Sequence, residues 1–335
     1  MPPSNAPKIS IIVPVYNGGE KFRQCLSSLA KLNPAPLEII IVADGGSDGS
    51  APFAEKMGMR VLRLAGPSGP AKARNYGARR AQGDILYFLD ADVTVEPAAI
   101  QKLLAAFQRD PALAAVMGSY DDAPGEANFL SQYRNLLHHY VHQTGHEEAS
   151  TFWGACGAIR REIFLEMDGF DENYRQPCIE DVELGYRLKK AGYRIRLEKA
   201  LRVKHLKRWE ALSMLKTDFF QRALPWTELI LRDRHMVNDL NLKPSSRISV
   251  LLSFGSLGSG IWGIWRPAAF VFAAVGIIIL FALNAPLYRF FRQQRGFGFM
   301  LRVLPWHGLY FLSSGLAFIV GVMRFYTAKS SCRKR

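Results

Sequence analysis

Cysteine is scarce in this 335-residue chain, and its four copies, Cys25, Cys156, Cys178 and Cys332, form no Cys-x-x-Cys pair. That scatter excludes a zinc ribbon or a disulfide framework and reads as reduced cytosolic thiols. The opening residues, MPPSNAPKIS, lack the apolar stretch behind a basic start that an export signal needs. Acid is short as well: 29 Asp and Glu stand against 43 Lys and Arg, a formal charge of +14. The imbalance points to anionic partners such as nucleic acid, an acidic membrane surface or phosphorylated substrates.

Charge is missing altogether from residues 248–265 and 267–288, and residues 303–323 hold only His307 as an ionisable group. Runs of about 18–22 apolar residues are long enough to cross a bilayer as helices. Buried helices of a large soluble core are the alternative, but three such runs cluster at one end of the chain. Gly255, Gly258, Gly260 and Gly263 make the first run the weakest span. Between the second and third, LYRFFRQQRGFGFMLR alternates aromatics with arginines, as interfacial segments do. The basic residues thus flank apolar runs instead of interleaving with exposed aromatics in a soluble module, which argues against a nucleic-acid partner. The expected layout is a catalytic domain over 1–205, amphipathic interfacial helices over 206–247, a membrane region of two or three transmembrane helices over 248–325, and a basic tail over 326–335.

Residues up to about 205 alternate strand and helix signals. KISIIVPVY, LEIIIVA, MRVLRLA and GDILYFL read as strands, and GEKFRQCLSSLAKL and GPAKARNYGARRAQ as helices. The alternation predicts an α/β domain around a doubly wound, mostly parallel sheet, whose ligands sit beyond the carboxyl ends of the strands. Asp44, Asp48, Asp90 and Asp92 all fall at such ends. In an extended segment residues i and i+2 point the same way. Asp90 and Asp92, two residues apart at the end of a core strand, would therefore repel unless a cation joined them. A hard divalent ion, Mn²⁺ or Mg²⁺, would relieve the repulsion and keep coordination sites for phosphate oxygens.

Five motifs in order, SIIVPVYN, IIIVADGGSDGS, GPAKARNYGARRAQGDILYFLDADV, WGACGAIRREIFLEMDGFDE and IEDVELGYRLKKAGYRI, resemble the family-2 glycosyltransferases of GT-A fold over residues 8–210. Two departures are visible: Ala43 and Gly46 replace residues of the usual acidic loop, and Val93 stands where a third carboxylate is sometimes found. The resemblance implies that Pro14, Val15 and Tyr16 line a nucleobase pocket and that Asp44 accepts a hydrogen bond from the base. It places Arg74 and Asn75 beside the nucleotide, Asp90 on the ribose or donor sugar, and Asp92 on the metal, with His205 as a further metal neighbour. Asp181 would be the base that takes a proton from the acceptor, with Glu180 beside it and in contact with the acceptor. Asp181 falls near a helix start, where backbone N–H groups favour an ionised carboxylate. Trp153 and Gly154 would form the acceptor side, although Trp153 reads equally well as a core residue.

The function implied is metal-dependent, inverting transfer of a sugar from a nucleotide diphosphate sugar, UDP-linked in preference to GDP-mannose, to a lipid-linked or membrane-associated acceptor. The protein would be integral to the plasma or inner membrane, with its catalytic domain in the cytoplasm and lipids as partners. A processive polysaccharide synthase is the rival within the class. Against it stands the poor match of DFFQRALPW to a Gln-x-x-Arg-Trp motif, with Pro225 favouring a helix start or kink there. A catalytically inactive nucleotide-sugar-binding scaffold is the rival outside it.

Overall fold

The computed structural model describes residues 7–332, in two compact units, Met1–Arg208 and Trp209–Arg335. In the first, nine strands build one sheet among the described residues: β1 (Ile9–Val15), β2 (Glu38–Ala43), β3 (Arg60–Arg63), β4 (Ile85–Leu89), β5 (Val93–Val95), β6 (Leu113–Tyr120), β7 (Glu148–Ala149), β8 (Cys156–Arg160) and β9 (Arg194–His205). Their order is β3-β2-β1-β4-β8-β6-β9-β5, with β7 added beside β9. The apolar runs read as strands are strands. Ile11, Ile12, Val13, Ile40, Ile41, Leu86, Tyr87 and Phe88 are fully buried in their middles, as expected for strands covered on both faces.

The sheet is mixed, not mostly parallel. Pairing is parallel from β3 to β4 and again between β6 and β9, but β8 runs antiparallel to both β4 and β6, and β5 and β7 run antiparallel to β9. The reversal at β8 shapes the site. Because β8 runs back along β4, its first residue, Cys156, lies opposite the last, Leu89. The residues just before β8 therefore sit beside those just after β4. β9 does the same for β5, pairing His205 with Val93.

The second unit is helical. Helix Ala211–Lys216 passes through a π-helical turn, Thr217–Ala223, into Leu224–Asp233, so that Pro225, which has no N–H to donate, sits just after the irregular turn. Helices Pro244–Trp262, Ala269–Leu283, Ala285–Arg295 and Phe297–Cys332 follow. By length and composition one helix among the described residues, Phe297–Thr327, can cross a membrane. Ala269–Leu283 and Ala285–Arg295 would add a second only if counted as one span bent by 62°. Of the two or three transmembrane helices expected from composition, one is supported by an unbroken helix among the described residues. The uncharged run 267–288 breaks at Asn284, whose side-chain amide donates to the Leu280 carbonyl and to Ser249 Oγ. Of the basic tail, residues 333–335 lie outside the described residues.

Candidate active site

Leu89 closes β4, and the chain turns at Ala91–Asp92 before β5 begins at Val93. Asp90 and Asp92 are therefore not consecutive same-side residues of an extended strand, as the sequence suggested. The turn sends them to different partners. Asp90 Oδ1 accepts a 2.6 Å hydrogen bond from Arg74, while Asp92 Oδ2 lies 3.6 Å from His205 Nε2.

Arg74 is the hub. It projects from helix Pro70–Ala78 and is only 4 % exposed. One terminal nitrogen reaches Asp90, the other donates to Glu180 Oε1 at 2.8 Å, and the guanidinium lies over the Phe170 ring at 5.5 Å. Its Nε is buried without a hydrogen-bond partner. A Cβ on Gly154 would stand 3.2 Å from the guanidinium carbon, so the close approach that glycine permits is to Arg74. The Gly154 N–H in turn donates to Asp181 Oδ2 at 2.9 Å. Through Arg74 and Gly154, the end of β4, the start of β8 and helix Glu180–Lys190 converge.

Asp181 lies in the first turn of helix Glu180–Lys190, with Oδ1 accepting from the Val182 N–H at 2.8 Å. Burial, reinforced by the neighbouring charge of Glu180, pushes its carboxyl up to about 6, against the pull of the Gly154 N–H and Arg74. A carboxylate near that value is suited to general-base work close to neutrality. Glu180 differs from expectation. It is 4 % exposed, with Oε1 bound to Arg74 and Oε2 to the Cys178 N–H, so it anchors Arg74 and does not face an acceptor.

Asp44 follows β2, and its two carboxylate oxygens accept from the Ser68 and Gly69 N–H groups, both at 2.8 Å. It thereby ties the loop that launches Arg74's helix. Asn75 is likewise committed: its amide donates to the Phe170 carbonyl and Glu172 Oε1 and accepts from the Phe170 N–H. It holds the 170–172 loop, and its hydrogen-bonding groups are not turned to a nucleotide. Of the trio at the end of β1, Pro14 is half-buried, Val15 packs into the core, and Tyr16 is 57 % exposed. Alternation along the strand explains the inward turn of Val15 and corrects its assignment to a nucleobase pocket.

His205 is buried and stacks on Tyr120 at 4.4 Å with an 11° interplanar angle. Burial opposes ionisation of Asp92, but the facing His205, with Lys207 and Lys21, outweighs it and holds the carboxyl below its usual range. Among the described residues no group of three or more His, Cys, Asp or Glu comes together as a ready-made metal cage. An ionised carboxylate facing an imidazole nitrogen nevertheless fits a divalent ion that takes its remaining ligands from phosphate and water. Trp153 packs edge-on to Tyr120 and beside His138 and His142, half-buried against the core, closer to the core-residue alternative than to an open platform. Tyr120 was not singled out from sequence. It ends β6, and the rule that flagged Asp44 and Asp90, function at strand ends, would have found it.

Residues 10–167 match the model of glycosyl transferase family 2, and residues 135–210 that described as the N-terminal domain of galactosyltransferase. The chain is 29 % identical over 206 residues to the probable glycosyltransferase YdaM of Bacillus subtilis, covering 57 % of this chain and 48 % of that protein. It thus spans about half the length of this curated relative. In fold it is similar to the mannosyltransferase PcManGT from Pyrobaculum calidifontis, solved with GDP-Man and Mn²⁺. There the TM-score is 0.61 at 16 % identity, over 94 % of this chain and 88 % of that one. GalNAc-T7, solved with UDP, GalNAc and Mn²⁺, gives a TM-score of 0.52 at 18 % identity, over 68 % and 48 %.

Proposed function

We propose that residues 10–167, which match the model of glycosyl transferase family 2, form a glycosyltransferase domain of that family. From that premise we propose that the protein transfers a sugar from a nucleotide diphosphate sugar to a hydroxyl or phosphate of a membrane-associated acceptor. The observation that carries the reading is the convergence on Arg74 of Asp90 from the end of β4 and Glu180 from the helix that bears Asp181.

For a hydroxyl acceptor, Asp181 removes the proton as the oxygen attacks the anomeric carbon; the bond from that carbon to the diphosphate breaks, and the nucleoside diphosphate leaves with the bonding pair. One base and a single displacement invert the anomeric centre. Asp90 engages the donor sugar or ribose, its position set by Arg74. Asp44 holds the loop next to the nucleotide and offers its remaining lone pairs to the base. Asp92 and His205 would hold a divalent cation, Mn²⁺ or Mg²⁺, which when bound offsets charge on the leaving diphosphate. Carboxylate, phosphate and water oxygens suit both ions; Mn²⁺ is tried first because the two structural neighbours named above hold it.

The donor is a UDP-sugar first and GDP-mannose second, nucleotides of both kinds being bound by those neighbours. The apolar helices of the second unit support a lipid-linked or polyprenyl phosphate acceptor and a membrane-integral protein with its catalytic unit in the cytoplasm. The test is a donor panel on the full chain in detergent with Mn²⁺, following release of nucleoside diphosphate. Release from one donor, lost on chelation and in Asp92→Ala, supports the reading; no release from any donor at any metal concentration sinks it.

A further inference from the structure

After Asp239 the chain contains no Asp or Glu, yet it carries twelve Lys or Arg. Four of these, Arg289, Arg292, Arg295 and Arg302, follow within eighteen residues of an elbow at Asn284. Helix Ala269–Leu283 is uncharged and exposes Phe270, Val271, Phe272, Ile278 and Phe281. At Asn284 the chain bends by 62° into the short helix Ala285–Arg295, which buries Leu287, Tyr288 and Phe291. That buried face is fastened to helix Phe297–Cys332, with Phe291 5.9 Å from Phe299 and the Tyr288 hydroxyl 3.1 Å from His307 Nδ1. Arg289 and Arg292, one helical turn apart, are exposed, the Arg292 guanidinium 6.0 Å from the Phe297 ring, and Arg302 is exposed on the following helix.

An apolar helix leading through a fixed bend into an amphipathic, arginine-bearing one has the shape of a segment that enters hydrocarbon and then lies along the headgroups. We propose that this elbow seats on an anionic bilayer surface, where Arg289 and Arg292 pair with the phosphates of acidic phospholipids. With no carboxylate in the last 96 residues, no acidic side chain of that stretch competes for them. The inference rests on the membrane association proposed above and adds to it a preference for headgroup charge.

The test offers the full chain, in neutral detergent, an equimolar mixture of phosphatidylglycerol and phosphatidylcholine and measures the lipid retained after washing. The wild type should keep an excess of phosphatidylglycerol that shrinks in high salt. Arg289→Gln with Arg292→Gln should bring retention toward equality, each arginine being worth about fivefold near an anionic surface. Undiminished phosphatidylcholine binding reports that the variant is folded. Equal retention by the wild type, or an excess that survives both substitutions, overturns the headgroup preference and leaves membrane association standing. Displacement of phosphatidylglycerol by millimolar inorganic phosphate overturns it in favour of a free-phosphate site. Retention of neither lipid removes the membrane association itself.

Discussion

Arg74 and Glu180, 106 residues apart in the chain, meet in a 2.8 Å ion pair with each side chain 5 % exposed. The pair joins the helix that follows β3 to the helix that carries Asp181, and Arg74's second arm extends it to Asp90. Removing one partner of a buried pair costs about 3–5 kcal/mol when the other charge is left alone, but Arg74 keeps Asp90. Glu180→Ala should therefore cost less than that and lower the melting temperature by about 2–6 °C. A thermal melt that barely moves would show that Glu180 has no anchoring role.

Asp181→Asn should behave differently. Asparagine keeps the shape and can still accept from the Gly154 N–H, but it cannot take a proton. Sugar transfer should fall by about 10²–10⁴-fold in kcat with little change in KM for the donor. Steady-state kinetics beside a melting curve separate this loss from unfolding. Equal losses in kcat and stability would make Asp181 a structural residue.

The pH dependence follows from the same carboxyl. As the base proposed above, Asp181 acts in its ionised form, so kcat/KM should rise with pH through about 6, above the ordinary aspartate range. Stability runs the other way. The folded state holds this proton more tightly than the unfolded chain, so its contribution is present in acid and lost as pH rises through about 6. At pH 8 Asp181→Asn should therefore melt no lower than the wild type, and the wild type should lose its relative deficit as the pH is brought to 4.

His205→Ala should raise the Mn²⁺ concentration needed for half-maximal activity by about 10- to 100-fold, by analogy with other losses around metal sites. Asp92→Ala should remove the metal response altogether. Titration of activity with Mn²⁺ checks both, and an unchanged His205→Ala titration would take the imidazole out of the metal's surroundings.

Gly69 sits at φ +94°, and a Cβ there would collide with the Arg175 backbone carbonyl. Its N–H is one of the two that bind Asp44. Gly69→Ala should therefore weaken donor binding, raising KM for the nucleotide sugar, along with a fall in melting temperature. Competition by nucleoside diphosphate gives an independent reading of the same loss.

Much of this protein is legible in its residue pattern. The apolar runs ending in Asp44 and Asp90, and the helix carrying Arg74 between them, announce strands and helices with acids at the strand ends. That holds because burial and period are local properties, written into every few residues. Which side chains are free to meet a substrate is not local. Val15, Asn75 and Glu180 sit where the motifs put them, yet each is consumed by core packing or by an internal partner. The second unit shows the same limit: composition records that 267–288 is uncharged but not that Asn284 divides it between two helices.

By itself the sequence determined the alternation of the first unit, the acids at its strand ends and the basic, apolar character of the second unit. Only the tertiary structure decided that β8 runs back against β4 and β9 against β5. Those two reversals bring Gly154 to Arg74 and Asp181, and His205 to Asp92. Pairing between distant strands depends on the fit of whole faces and the turns between them. No short stretch of residues holds that information.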